Sequence, residues 1–208
     1  MTFPAPRRGR PPVSSRETLE EIAFELLLRD GYEATTVQSI MTAGGIGRTT
    51  FFRYFGSKGG IVWGEFDRAV ERLRACLDGA GDVPVMTAVV NAVAESTRLS
   101  QEAAPETWLD RFRVLDRDTA LAGDTAEHWR IWAAEVAGYV DRRVGLPPDS
   151  VVGAAVGGAI QAAYVAMLRR WASSTTSRVD ISTLQSELEF VRLAFQHHFD
   201  ETTRRRDE

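Results

Sequence analysis

The chain has 208 residues, 44% of them hydrophobic and 26% charged, and its formal net charge is −4. These values are ordinary for a soluble globular protein of one or two domains. A single cysteine, Cys76, excludes an internal disulfide framework and any CxxC motif for metal or redox chemistry. No long apolar run at the N-terminus resembles a secretory signal, so we expect a cytoplasmic protein.

Positive charge is concentrated near the N-terminus. Residues 1–60 contain 8 Lys and Arg against 6 Asp and Glu, whereas residues 61–208 contain 17 against 23. A protein that is acidic overall can still bind a polyanion when its cations lie on one face. The distribution therefore favours contact between the N-terminal part and a nucleic acid.

Residues 1–14 are predicted to form a flexible basic arm, because MTFPAPRRGRPPV is rich in proline and arginine and cannot be helical. The run RRGRPP resembles the minor-groove core of an AT-hook, in which arginines follow a narrow A·T groove. Arg7, Arg8 and Arg10 are therefore candidate DNA contacts. The alternative is a tail that serves only for solubility.

Two short helices are predicted to follow the arm. Ser14 and Glu17 have the spacing of a capping box, and apolar residues then recur at helical spacing until Gly31. A second helix is predicted to begin at Thr35 and to end at the glycine pair 44–45, where the chain can turn tightly. Each helix presents one apolar stripe for burial.

A third helix, predicted over residues 48–55, has two different faces. Phe51 and Phe55 lie one turn apart and point toward the first two helices, whereas Thr49 and Arg53 lie one turn apart on the opposite side. Three short helices with a glycine-containing turn between the last two form a helix-turn-helix arrangement. The outward face suits the DNA major groove. A solvated face on an ordinary bundle is the alternative, and the arginine-rich arm favours DNA.

The candidate DNA contacts divide into base contacts and phosphate contacts. Arginine can bond guanine O6 and N7, and a threonine methyl group can meet a thymine methyl group. Hydroxyl and ammonium groups near helix starts suit phosphates, which set the register. The base candidates are Thr49 and Arg53, and Arg48 at the helix start can contact a base or a phosphate. The phosphate candidates are Thr36, Tyr54 and Lys58, and Gly47, Thr50 and Phe52 complete the predicted surface.

These residues resemble a known DNA-binding domain. Segments 34–40 (ATTVQSI) and 45–58 (GIGRTTFFRYFGSK) are similar to the DNA-binding domain of the TetR family of transcriptional regulators, whose pattern in the second segment is G-V-S-x-x-T-[LF]-Y-x-[HY]-F-x-[SN]-K. Gly47 replaces the usual serine cap, and Phe52 replaces the usual tyrosine and its hydroxyl. Phe52 can still pack on a sugar or a thymine methyl group.

Shorter peptides indicate a branch of that family. IVWGEFD at 61–67, DVPVM at 82–86 and GLPP at 145–148 resemble the branch associated with mycofactocin systems, which is linked to sensing of long-chain acyl-CoA. The resemblance implies a homodimer on double-stranded DNA with a palindromic operator, usually acting as a repressor that an apolar small-molecule effector releases. No cofactor is expected.

The rest of the chain is also predicted to be helical. Helices are expected at about 57–77, 84–103, 105–117, 120–144, 149–172 and 180–200, followed by a frayed tail. The predicted fold is all-α, with an N-terminal three-helix helix-turn-helix domain and a C-terminal six-helix ligand-binding and dimerisation domain. The expected boundaries are 1–14 for the arm, 15–60 for the DNA-binding domain and 61–208 for the regulatory domain.

Aromatic residues are prominent in the predicted regulatory domain, because all five tryptophans lie beyond residue 60. Their helical spacing is typical of a hydrophobic core, but a cavity for an apolar ligand is built from the same residue types. The candidate pocket residues are Phe66, Trp108, Phe112, Trp129, Trp132, Tyr164 and Met167.

The two helices near 149–172 and 180–200 are candidates for a dimer interface. The first is rich in small residues that permit close helix approach, and two such helices from each protomer would form a four-helix interface. Burial within one protomer is the alternative. Residues 151–168 carry no charge, yet their length is marginal for a membrane span, so no membrane partner is expected. The small residues include Gly153, Ala154, Gly157, Gly158 and Ala162, and the apolar stripe of the second helix is Leu184, Leu188, Val191, Phe195 and Phe199.

The sequence shows no catalytic or metal-binding constellation. His128 is isolated, and His197 and His198 are adjacent, so they cannot chelate one ion as an i, i+4 pair does. The rival hypotheses are an enzyme that uses the aromatic cavity and an architectural DNA-binding protein without a ligand. Protection of one short palindrome would favour a regulator over both.

Overall fold

The computed structural model describes residues 15–174 and 179–207, and within these ranges all regular structure is helical. The predicted all-α fold with an N-terminal three-helix unit is confirmed. The helices are α1 (Arg16–Asp30), α2 (Val37–Gly44), α3 (Arg48–Phe55), α4 (Lys58–Asp78), α5 (Val85–Ala103), α6 (Trp108–Arg117), α7 (Ala122–Val144), α8 (Val151–Ser173) and α9 (Ile181–Asp207), with a 3-10 turn at Thr119–Leu121 between α6 and α7.

The caps of the first two helices lie one residue later than the sequence predicts. Ser15 caps α1, because its hydroxyl oxygen accepts a hydrogen bond from the Thr18 amide at 3.1 Å. The predicted cap, Ser14, lies outside the described residues. Thr36 caps α2 in a reciprocal capping box with Ser39. Both caps satisfy amide groups that the first turn of a helix leaves unpaired.

The connections between these helices depend on one buried hydroxyl and one left-handed glycine. Thr35 is buried, and its hydroxyl donates to the carbonyl oxygen of Gly31 at 2.8 Å, so it anchors the α1–α2 connection instead of capping α2. Gly45 ends α2 with a φ of 64°, which glycine adopts without steric cost. The turn that follows brings the apolar face of α3 into the core.

Helices α7 and α8 form an antiparallel pair with close backbone contact. A Cβ added to Gly157 would clash with the carbonyl oxygen of Ala133, and one added to Gly153 would clash with the carboxylate of Asp141. These two glycines therefore serve packing inside the protomer. This corrects the predicted dimer role of Gly153 and Gly157, whereas Ala154, Gly158 and Ala162 are exposed and stay a prediction.

Helix α9 is longer than its sequence suggests. It packs against α5 and α8 and continues to Asp207, whereas the sequence predicts an end near residue 200 and a frayed tail. The Thr202 hydroxyl donates to the carbonyl oxygen of His198 at 2.8 Å, and His197 lies 3.3 Å from Glu201. The side-chain pair of His197 and Glu201, at i, i+4 spacing, supports the helix beyond residue 200.

Helix α8 is the one described helix that is long and apolar enough to cross a membrane, with a mean hydropathy of 1.8 over its most apolar window. It packs against α6, α7 and α9 within the helical bundle. Only 39% of that window is buried, so an apolar face of α8 remains uncovered in the protomer.

Candidate DNA-binding surface and regulatory cavity

Helix α3 separates an apolar face from a cationic face. Phe51 and Phe55 are buried in the hydrophobic core, with their ring centroids 5.4 Å apart. Arg48, Thr49 and Arg53 are exposed on the other side. Two buried aromatic rings fix the rotation of a helix that is only eight residues long, so its polar face is held toward solvent.

Both exposed arginines of α3 lie over aromatic rings. The guanidinium carbon of Arg48 is 5.0 Å from the centroid of the Phe52 ring, and that of Arg53 is 5.0 Å from the centroid of the Tyr54 ring. Phe52 is 38% exposed and packs edge-on against Phe51. Cations within about 6 Å of a ring centroid are attracted to the ring face, so these contacts hold the arginines against the helix.

Lys58 is engaged within the protein at the start of α4. Its Nζ donates to the carbonyl oxygens of Tyr32 at 2.6 Å and Thr35 at 3.0 Å, and lies 4.0 Å from the centroid of the Tyr32 ring. The ammonium group has three donors, so one remains for another acceptor. The exposed hydroxyl oxygen of Thr36 accepts from the Ser39 amide at 3.0 Å, which leaves its proton for donation.

The other predicted DNA contacts have different degrees of exposure. Gly47 is the exposed N-cap of α3 and provides no side-chain cap. Thr50 and Tyr54 are half-buried beside the exposed face. The arginines of the arm, Arg7, Arg8 and Arg10, lie outside the described residues.

A buried arginine joins α6 to the helix-turn-helix unit, and sequence analysis does not identify it. Arg111 is 2% exposed, and one of its nitrogens donates to the carbonyl oxygens of Ile61 at 2.6 Å and Val62 at 2.9 Å. Its other terminal nitrogen lies 3.7 Å from a carboxylate oxygen of Glu20, and its guanidinium carbon lies 4.8 Å from the Phe24 ring centroid. Burial lowers the pKa of Arg111 to about 10, so the group is cationic at neutral pH.

The ionic cluster around Arg111 extends along α4. Glu65 is buried and accepts hydrogen bonds from Arg68 at 2.6 Å and Arg72 at 2.5 Å. One sequence signal could have indicated the cluster: Arg111 stands three residues after Trp108, on the apolar stripe of α6. A charge in that position requires a buried partner.

A cavity of about 530 Å³ lies between α6, the 3-10 turn, α7 and α8. Its walls are mainly apolar, and the neutral polar groups among them are Thr119, Thr125 and Gln161. The charged groups are Asp118 and an ion pair between Asp116 and Arg169, 2.6 Å apart. The Thr125 hydroxyl is buried and has no hydrogen-bond partner among the described residues. A cavity of this size and composition suits a small molecule that carries a hydrogen-bonding group.

The predicted pocket residues are divided between this cavity and a packed aromatic cluster. Phe112 and Trp129 line the large cavity and separate it from a void of about 30 Å³, which holds roughly two water molecules at most. Of the other predicted residues, Phe66, Trp108, Trp132 and Tyr164 surround the small void, and Met167 is buried and lines neither space.

The aromatic cluster is packed as a hydrophobic core. Trp132 stacks on Tyr164 with ring centroids 5.3 Å apart, and Phe66 meets Trp129 edge to face at 5.0 Å. The Tyr164 hydroxyl shares a 2.8 Å hydrogen bond with Thr97, and burial raises the pKa of Tyr164 far above its ordinary value. Interlocked rings and a satisfied hydroxyl leave no space for a ligand between them.

Helices α8 and α9 expose large apolar side chains on their outer faces. Val151 is 85% exposed, Phe190 75% and Leu193 53%. The stripe predicted for the dimer interface instead packs within the protomer, where α9 contacts α5 and α8. Leu184, Leu188, Val191 and Phe199 are buried there, and Phe195 is half-buried.

The lone histidine of α7 lies beside the aromatic cluster. The ring of His128 stacks on Trp63 at 3.8 Å, and its Nδ1 lies 2.7 Å from the carbonyl oxygen of Asp124. Across the described ranges, no three His, Cys, Asp or Glu side chains are grouped to hold a metal ion.

The cationic face of α3 and the helical domain behind it define a helix-turn-helix DNA-binding protein with a regulatory domain. The family described as "Bacterial regulatory proteins, tetR family" matches residues 21–62, and the "MftR C-terminal domain" matches residues 83–196, more than half of the chain. The chain therefore belongs to the TetR family, with a regulatory domain of the MftR type, and is a DNA-binding transcriptional regulator.

Individual relatives agree with this assignment. A Mycobacterium tuberculosis (H37Rv) protein described as "Putative mycofactocin biosynthesis transcriptional regulator MftR" is 27% identical over 139 residues, which cover 67% of this chain and 70% of that protein. The "HTH-type transcriptional repressor ComR" of Escherichia coli (K12) is 34% identical over 68 residues, covering 33% and 32%. The structure of the TetR family regulator PfmR of Thermus thermophilus has the same fold, with a TM-score of 0.53 at 19% identity, covering 86% of this chain and 95% of PfmR.

Proposed function

We propose that this protein is a cytoplasmic repressor that binds a palindromic operator as a homodimer and is released by an apolar small molecule. The observation that carries the proposal is the outward face of α3, on which Arg48, Thr49 and Arg53 project from a helix anchored by buried phenylalanines. These side chains have the donors and the methyl group that contact base edges in the major groove.

The proposed contacts surround that face. Phe52 is exposed enough to meet a sugar or a thymine methyl group, and the remaining donor of Lys58 can reach a phosphate. The backbone amide of Gly47 and its neighbours at the start of α3 also suit a phosphate. The further phosphate contacts are Thr36, Thr50 and Tyr54, and the proposed minor-groove contacts are Arg7, Arg8 and Arg10.

Exposed apolar side chains on the outer faces of α8 and α9 support a dimer that pairs through these helices. Val151, Phe190 and Leu193 would be covered by the same face of a second protomer. A Cβ added to Gly158 would meet nothing within 4 Å, so this part of α8 has room for a helix of the partner. A two-fold dimer places its recognition helices about 34–36 Å apart, which matches successive major grooves and a palindromic operator.

The 530 Å³ cavity is the proposed effector site. Its apolar walls, which include Phe112 and Trp129, suit a hydrocarbon chain, and the unpaired Thr125 hydroxyl suits an acceptor such as a carbonyl oxygen. A long-chain acyl-CoA combines both features in its acyl chain and thioester carbonyl. It is the first candidate because the segments at 61–67, 82–86 and 145–148 resemble the branch linked to sensing of long-chain acyl-CoA.

Selection of bound duplexes from random DNA tests the repressor proposal. The full-length protein should enrich one short palindrome, and a footprint should protect that site alone. The affinity should fall steeply with salt, because phosphate contacts release counterions. Broad coating of DNA would indicate an architectural protein, and no preference over random duplex at moderate salt would refute the repressor.

Thermal unfolding with acyl-CoAs of increasing chain length tests the effector. Saturation at about 100 times Kd should stabilise the protein by about 2.7 kcal/mol and raise its Tm. Thr125→Val should reduce the shift and Thr125→Ser should retain it, because only the second keeps the hydroxyl. If no chain length shifts the Tm, acyl-CoA is excluded as the effector, and the conclusion on operator binding does not change.

A further inference from the structure

The carboxylate of Asp118 touches both the regulatory domain and the DNA-binding unit. Asp118 stands between α6 and the 3-10 turn, where its amide donates to the carbonyl oxygen of Val114 at 3.1 Å. Its Oδ1 accepts from the Ala120 amide at 3.0 Å. These local bonds make the position of the carboxylate follow the position of the turn.

The other oxygen of Asp118 reaches the helix-turn-helix unit. Its Oδ2 accepts a short hydrogen bond from the Tyr32 amide, in the connection between α1 and α2. The carbonyl oxygen of Tyr32 in turn accepts from the Nζ of Lys58 at 2.6 Å. Lys58 is the first residue of α4 and follows the end of α3, at Phe55, by three positions. A continuous set of polar contacts therefore runs from Asp118 to the exit of α3.

Asp118 also forms part of the cavity wall. Asp118 and Thr119 line the 530 Å³ cavity, and both residues line a cleft of about 260 Å³ that is shared with Gly31 of the DNA-binding unit. The segment thus separates the cavity from the junction of the two domains. A ligand that displaces the 3-10 turn must also displace the partner of Tyr32.

Arg111 and Asp118, which both link the regulatory domain to the DNA-binding unit, differ in burial. Arg111 is fully buried and bonds two carbonyl oxygens of α4, so it behaves as a fixed joint. Asp118 is half-buried at the rim, next to open volume on two sides. Movement at Asp118 around a fixed Arg111 would rotate the DNA-binding unit.

We propose that Asp118 is the residue through which occupancy of the cavity changes the position of the DNA-binding unit. Filling the cavity moves the 3-10 turn, Asp118 moves with it, and the contacts of Tyr32 and Lys58 transmit the displacement to α3. This deepens the proposed function and rests on it for its regulatory meaning. The displacement itself is measurable without operator or natural effector.

Covalent filling of the cavity tests the coupling. In a full-length Cys76→Ala background, Ala126→Cys places a thiol on the cavity wall, and alkyl methanethiosulfonates from butyl to dodecyl attach chains of increasing length. The readout is hydrogen exchange of the Tyr32 amide, whose partner is Asp118. The dodecyl chain should raise its exchange rate about tenfold. In Asp118→Ala the exchange should already be fast, and labelling should change it less than about twofold.

The matched control is Asp110→Ala, which removes a carboxylate of α6 that pairs with Arg113 of the same helix. In Asp110→Ala the exchange of the Tyr32 amide should respond to labelling as it does in the parent protein. If Asp118→Ala is poorly folded, Asp118→Asn replaces it. An asparagine has one carbonyl oxygen for the amides of Tyr32 and Ala120, so the effect of labelling on the exchange of the Tyr32 amide should be partly lost. An unchanged Tyr32 amide after labelling, or an undiminished response in the Asp118 variants, would overturn the inference.

Operator binding provides the second arm. Dodecyl labelling should weaken binding of the selected operator about 5–150-fold in the parent and less than about threefold in Asp118→Ala. Equal weakening in both proteins would also overturn the inference. Failure to select any operator would refute the repressor and leave the exchange result standing, so the two failures are distinguishable.

Discussion

The outward face of α3 and the regulatory cavity are organised differently. Phe51 and Phe55 alone determine which side of α3 faces solvent, so the surface is a property of eight consecutive residues. The cavity lies between four elements, and neighbouring aromatic residues differ in role there: Trp129 lines it, whereas Trp132 is packed in the core. A helix face follows from residue spacing, but a cavity follows from how helices fit together.

The largest expected effect on stability comes from Arg111, which joins α6 of the regulatory domain to α4 and to Glu20 of the DNA-binding unit. Arg111→Ala should lower the free energy of unfolding by about 3–5 kcal/mol, because the carbonyl oxygens of Ile61 and Val62 would lose a buried donor and a cavity would replace the long side chain. Urea unfolding at pH 7 measures it. Arg117→Ala, an exposed change in the same helix, should stay within about 0.5 kcal/mol. A loss below about 1 kcal/mol for Arg111→Ala would mean that the buried contacts of Arg111 do not stabilise the junction of the two domains.

A pair of adjacent glycines tests the packing of the regulatory domain. Gly157→Ala should destabilise the protein by about 1–3 kcal/mol, because its methyl group would meet the carbonyl oxygen of Ala133. The methyl group of Gly158→Ala would meet nothing within its own protomer, on the proposed dimer side of α8, and should change the stability by less than about 1 kcal/mol. Equal effects in thermal unfolding would contradict the assignment of inner and outer faces to α8.

The cationic face of α3 is tested by Arg53→Ala. Loss of one base contact should reduce discrimination between the selected operator and random duplex by about 1–3 kcal/mol, measured by fluorescence anisotropy. Arg29→Ala is the control, because Arg29 is exposed in the last turn of α1 and pairs with Asp30. Undiminished discrimination by Arg53→Ala would show that α3 does not contact bases as proposed.

These contrasts explain which features the sequence could predict. The order of the helices in the described ranges, the bounds of α3 and its two faces follow from spacing, glycines and capping residues, which act within a few positions. The end of α9 was predicted wrongly, because the helix continues to Asp207, beyond its last apolar residue, and the His197–Glu201 pair supports this extension. The partners of Arg111 and Asp118 lie about 50 to 90 residues away in sequence, so no local pattern indicates them.

The smallest expected effect is the dependence of stability on pH that arises from Asp180. Hydrogen bonds from the hydroxyls of Ser182 and Thr183, and from the Ser182 amide, hold the pKa of Asp180 below its ordinary value of 3.8. The folded state therefore gains stability from this carboxylate above about pH 3.8 and loses it as the pH falls through the lowered pKa. Asp180→Ala should lower the unfolding midpoint at pH 7, and the difference should shrink on acidification. A pH-independent difference would exclude this cause.

The contacts of Arg48 with Phe52 and of Arg53 with Tyr54 have a consequence for the thermodynamics of docking. A long side chain that is already restrained in the free protein has fewer rotamers to give up on reaching a base, and immobilising such a chain costs about 0.5–1.5 kcal/mol. Calorimetry of operator binding should therefore show a smaller entropic penalty than the same arginines would incur on a helix without aromatic neighbours.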